Sequence, residues 1–160
     1  MENESSLDKL KIDYSKLQKK YGLPEFDELN RDFKIEKLSD VETDFLVREV
    51  RSFVGESFEN FLRFVEALLN PTNVPMFLFP VIKSLGVDEK EKLMEIHKKM
   101  ARLEVDAIKL INYSEEKEAE FIKKAFKLWQ TVKKDFIEVI EVVEKKWDVK
   151  TNPSTKNYFG

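Results

Sequence analysis

The feature that most restricts this chain is a pair of long stretches, 40–69 and 114–147, in which apolar residues return every three or four positions and no proline intervenes. That period lines apolar side chains along one face of an α-helix. In the first stretch Leu46, Val50, Phe53, Val54, Phe58, Phe61, Leu62, Phe64, Val65, Leu68 and Leu69 fill about half the circumference. Arg48, Glu49, Ser52, Glu56, Glu59, Arg63 and Glu66 fill the other half. Ser39 or Asp40 is the expected N-cap, and Asn70-Pro71 the expected end, because the residue before a proline is pushed out of helical geometry. In the second stretch the apolar face, from Phe121 through Trp129 and Phe136 to Trp147, is wide enough to touch neighbours on two sides. Ser114, ahead of an acidic first turn, is its expected N-cap.

A helix of about 30 residues is roughly 45 Å long, whereas a domain of this size has a radius of gyration near ~15 Å. Two such helices do not fit in a sphere, so the expectation is all-α: an elongated antiparallel helical bundle. Shorter pieces fill in around them. A stripe of Leu7, Leu10, Tyr14, Leu17 and Tyr21 predicts a helix over 7–21 that Gly22 stops, and Pro24 opens another over 24–31. The alternation in 33–38 (FKIEKL) reads as an extended connector. A short helix over 74–85 is apolar nearly all round. A medium helix over 88–112 opens with a capping box, Asp88 and Glu91, and buries Leu93, Ile96, Met100, Leu103, Ala107, Leu110 and Ile111. The expected organisation is one helical domain over 1–147, with 1–38 packed peripherally, and a polar tail over 148–160.

Composition narrows function mostly by exclusion. The chain has no cysteine, hence no disulfide framework or thiolate metal site. Its 31 acidic and 28 basic residues are well mixed, leaving no basic field of the kind nucleic acid demands. The longest strongly apolar run, 74–82, is nine residues with two prolines. A membrane span needs roughly 20. The N-terminus is acidic and polar, unlike a signal or transit peptide, and a cytoplasmic location is expected.

No catalytic motif is visible. His97 is the single histidine, and the chain contains no glycine-rich phosphate loop or nucleophile elbow. A di-metal bundle needs Glu-x-x-His on two helices, and the residue three before His97 is Met94. No enzymatic activity, metal or cofactor is therefore expected.

Several groups stand out. Glu104 projects close to the apolar stripe of its helix, and a buried carboxylate needs a partner. Arg51, at the edge of the first long apolar face, is the expected one; a ligand site around Glu104 is the alternative. The stretch 74–82 reads first as a central helix packed on all sides. The alternative is an exposed surface of Met76, Phe77 and Phe79 that docks a partner or meets a membrane interface. Pro80 favours that alternative, since within a core helix it would forfeit a backbone hydrogen bond. Lys123, Lys124, Lys127 and Lys134 form a candidate basic patch interrupted by Glu120, Glu138 and Glu141. Tyr158 and Phe159 close the chain as either a docking motif or an anchor folded back on the bundle.

Segments 17–30 (LQKKYGLPEFDELN), 70–85 and 158–160 (YFG) together resemble small all-helical archaeal proteins of unassigned function. The resemblance implies an archaeal cytosolic protein and transfers no activity, cofactor or residue role. The functional expectation is a non-enzymatic interaction or structural module whose partner is a protein, itself or another. A nucleic-acid-associated protein using the lysine patch is the alternative, and a small-molecule binder or enzyme around Glu104 the third.

Overall fold

Helix α3 (Leu46–Leu69) sets the frame, because Val47, Val50, Val54, Phe58, Leu62, Val65 and Leu68 bury one continuous face of it. The computed structural model describes residues 5–110 and 114–151, side chains 73, 150 and 151 excepted. Among the described residues every regular element is helical. Helices α1 (Ser6–Tyr21) and α2 (Phe26–Phe33) precede α3; α4 (Phe79–Lys83), α5 (Val87–Ile108) and α6 (Glu115–Thr151) follow it.

The three longest helices form an up-down-up bundle. Lys92 on α5 meets Glu138 on α6 and Lys124 on α6 meets Asp106 on α5, so these two run antiparallel. Glu118 pairs with Arg48 near the start of α3, while Trp129 and Phe136 pack against Phe61 further along it. α3 and α6 therefore lie side by side in the same direction, with α5 antiparallel to both. At 37 residues α6 is about 55 Å long, which makes the bundle elongated.

An aromatic cluster joins these helices. Phe61 stacks on Trp129 with ring centroids 4.7 Å apart, and Phe136 lies 5.6 Å from the same indole. Phe33 of α2 reaches both Phe58 at 5.7 Å and Trp129 at 6.2 Å. The N-terminal elements thus contribute side chains to the core cluster. The Tyr14 hydroxyl donates to the Pro24 carbonyl at 2.8 Å and fixes the α1–α2 turn, while the Tyr21 hydroxyl donates to Glu115 at the start of α6.

Local signals set some boundaries and mislead at others. Ser5 and Asp8 form a reciprocal capping box for α1, and Gly22 ends it in the left-handed region at φ 66°. α2 spans Phe26–Phe33, two residues later than the expected 24–31. The expected extended connector at 33–38 is instead a 3-10 helix, Ile35–Asp40. Its three-residue turn places Ile35 and Leu38 on the same side, and both are buried. Lys34, at φ 58°, makes the abrupt entry, and the Asn30 side chain bonds both the backbone and the carboxylate of Glu36. Because Ser39 and Asp40 belong to that 3-10 turn, neither caps α3, which starts at Leu46 instead of near residue 40. Similarly, α5 is capped by Gly86, so Asp88 falls inside its first turn and the expected Asp88–Glu91 box does not form. The donors of Lys117 and Glu118 reach the Ser114 carbonyl, as an N-cap at Ser114 requires. α6 continues past Trp147 to Thr151, so 148–151 of the expected tail are helical. Tyr158 and Phe159 lie outside the described residues.

Candidate docking surfaces

The 70–85 stretch is not one helix. Pro71 and Pro75 break it into two 3-10 turns, Pro71–Asn73 and Met76–Leu78, before α4. Pro80 falls in the first turn of α4, where no intrahelical partner for its nitrogen is needed, so it forfeits no bond. The segment divides by face. Val81, Ile82 and Leu85 are buried, as the packed-helix reading expects. Met76, Phe77 and Phe79 are not: Met76 is 91% exposed and Phe77 62%. A segment broken into turns presents too short a surface to be enclosed on every side, and its first half is left facing solvent.

These exposed side chains stand on an anchored base. Phe77 packs edge-on against Trp147 of α6, with ring centroids 5.4 Å apart. Lys146 donates to the Ser84 carbonyl at 2.6 Å and the Ser84 hydroxyl to the Val81 carbonyl at 2.7 Å, tying the end of α4 to α6. The Lys83 ammonium lies 4.6 Å from the centre of the Phe79 ring. Val87 and Val149, at the start of α5 and near the end of α6, are also exposed at this end of the bundle.

Glu104 and Arg51 do not pair. α5 runs antiparallel to α3, which places Glu104 near Glu59 and Arg63, beyond the reach of Arg51. Partial burial pushes the Glu104 carboxyl above its ordinary value, Glu59 adds to the rise and Arg63 opposes it. Arg51 instead lies 3.7 Å from Glu118, whose Oε1 also accepts from Arg48 Nε at 3.2 Å. Glu118, 2% exposed, is the enclosed carboxylate among the described residues. Its Oε2 and the Arg51 Nε are buried without a hydrogen-bond partner among the described residues. The signal for Glu118 was present: it continues the stripe of Ile122, Ala125, Trp129, Val132 and Phe136 by one more helical step.

The four lysines of α6 do not form one patch. Lys123 turns to the N-terminal side and donates to the Tyr21 carbonyl at 3.0 Å. Lys124 pairs with Asp106 of α5, and Lys134 lies 3.9 Å from Glu138 on its own helix. Lys124 and Lys127 alone of the four line the outer seam between α5 and α6.

His97 Nε2 lies 3.2 Å from Glu66 Oε1 beside an open cleft of mixed lining, bordered by Arg63, Asn70 and Thr72 as well as Ala67, Leu69 and Val74. Among the described residues no group of three or more His, Cys, Asp or Glu is placed to hold a metal ion. No described helix is long and apolar enough to cross a membrane. No protein-family model, curated protein or solved structure matches the chain.

Proposed function

We propose that this protein is a non-enzymatic interaction module that associates with a second copy of itself through the bundle end built from Met76, Phe77 and Phe79. The observation that carries the reading is the exposure of these three large apolar side chains on a rigidly tied base. Contiguous apolar surface costs hydration free energy in a monomer, and that cost is relieved when the surface is covered.

A second copy is favoured over a partner of one charge because this end carries both signs. Lys83 and Lys145 are accompanied by Asp88, Glu89 and Glu141. A two-fold contact sets each residue of the patch against another of the same patch, which a mixed rim tolerates and a single-sign rim does not.

Sedimentation velocity across the micromolar range tests this. The expected result is a concentration-dependent dimer that Met76→Asp and Phe77→Asp each dissociate without loss of helical circular dichroism. A wild-type monomer at every concentration overturns the reading.

A further inference from the structure

The N-terminal elements cover only one side of the three-helix bundle. There Lys123 reaches Tyr21 and Gln130 donates to Asp32 at 2.8 Å, so α1 and α2 lie along α6 on the side away from α5. The opposite seam, between α5 and α6, is an open groove of about 840 Å³ whose lining comes from those two helices alone. Its apolar lining is Ala101, Leu103, Val105 and Leu128. Five cations rise around it: Lys98, Lys99 and Arg102 on α5, Lys124 and Lys127 on α6. Glu95 also lines it, and Asp106 pairs with both Lys124 and Arg102. Lys98, Lys99 and Lys127 make no ion pair among the described residues. The groove is therefore apolar below and net positive on both walls.

We infer that this groove docks a short acidic amphipathic helix from a partner protein. From Glu95 to Val105 it runs about 15 Å along α5, enough for two to three turns of a packed helix. Helix-in-groove recognition needs aliphatic anchors spaced to meet an apolar floor, and acids on both flanks of such a helix would meet the two rows of cations. A small ligand is disfavoured, because binding sites for such molecules enclose most of the ligand surface and this groove is open. Single-stranded nucleic acid is disfavoured because the lining holds no aromatic ring for bases to stack on. A membrane surface is disfavoured because the apolar side chains form a recess, not a protrusion that enters lipid.

The site is separate from the bundle end, so its test is independent of self-association. The probe is a fluorescein-labelled peptide with Leu at helical spacing flanked by Glu, read by fluorescence anisotropy against the full-length protein. Its controls are a scrambled peptide of identical composition and a version with Lys in place of Glu. The expected result is saturable binding of the amphipathic acidic peptide alone. Raising salt weakens it, and Lys99→Glu with Lys127→Glu weakens it by about tenfold or more, as loss of paired charges predicts. Both lysines are exposed, so helical circular dichroism stays unchanged in that variant. Met76→Asp, which removes self-association, leaves peptide binding intact. Equal binding of the scrambled peptide, indifference to the charge reversal, or preference for phosphatidylserine vesicles over the peptide each overturns the inference.

Discussion

Phe77 stands edge-on to Trp147 with an interplanar angle of 74°, and this contact ties a strongly exposed apolar segment to the far end of α6. The pairing is geometric as well as hydrophobic, since an aromatic edge carries partial positive charge and a face partial negative.

Removing the Phe77 ring should therefore cost little in the monomer. An aromatic pair contributes ~0.5–1.5 kcal/mol beyond its buried area, and Phe77 is largely solvated already. Phe77→Ala is expected to lower stability by about 1–2 kcal/mol in urea denaturation at low protein concentration. In a Trp129→Phe background, the emission of the remaining Trp147 shifts to the red.

The buried carboxylate of Glu118 predicts a larger effect. Glu118→Ala leaves the half-buried Arg51 without its partner, and breaking such a pair typically costs ~3–5 kcal/mol. Arg48 is about half exposed and can turn to water, so Arg48→Ala should cost ~1 kcal/mol or less. The paired change Arg51→Met with Glu118→Leu should recover most of the loss, because an apolar pair of similar volume avoids the cost of desolvation. Urea midpoints of the three variants check the order.

Glu104 predicts a pH dependence of defined sign. Its carboxyl is raised in the folded state, so folded protein holds the proton more tightly than unfolded protein does. Whatever stability the protonated form contributes is present below the ordinary carboxylate value of 4.5 and is lost as pH rises through the raised one. Glu104→Gln should consequently stabilise the protein at neutral pH, and that advantage should vanish below about pH 4. Asp106 supplies the opposite case: its carboxyl is lowered, chiefly by the hydrogen bond from Lys124. Asp106→Asn should destabilise at neutral pH, with the difference shrinking as acid protonates the wild-type carboxylate. Thermal melts of both variants from acid to neutral pH provide the check.

The two left-handed residues among those described, Gly22 and Lys34, offer a matched pair. Gly22 has open space where a Cβ would sit, so Gly22→Ala meets no clash and reports backbone strain alone. A loss of about 1 kcal/mol is expected. Lys34 already bears that strain at φ 58°, and Lys34→Gly should raise stability by ~0.5–1 kcal/mol. Denaturation midpoints moving in opposite directions support this; a loss at both positions would refute it.

Much of the fold was legible in the chain because long helices write their period into the sequence. The 3.6-residue stripes located α3, α5 and α6, and Gly22 and Asn70-Pro71 ended helices where expected. The misreadings share a cause. In 33–38, Ile35 and Leu38 are three apart, a spacing that a 3-10 turn and a frayed alternation both accommodate. Similarly, Ser39, Asp40 and Asp88 are good caps by residue type, but Ser39 and Asp40 fall inside the preceding 3-10 turn, and Asp88 falls inside α5 itself, which starts at Val87.

The candidate sites were less legible, because each depends on which face of one helix meets another. The sequence determined by itself that the chain is helical, that two helices are too long for a sphere, and that Met76, Phe77 and Phe79 occupy a short apolar segment containing two prolines, read there as one helix. Only the tertiary structure decided that those three side chains face water while Val81 and Ile82 face the core. It also decided that Arg51 serves Glu118 and not Glu104, and that Lys124 and Lys127 border a groove while Lys123 turns away from it. The physical reason is that apolar period specifies a helix and its buried face, whereas helix direction and neighbour choice are set by packing between segments far apart in the chain.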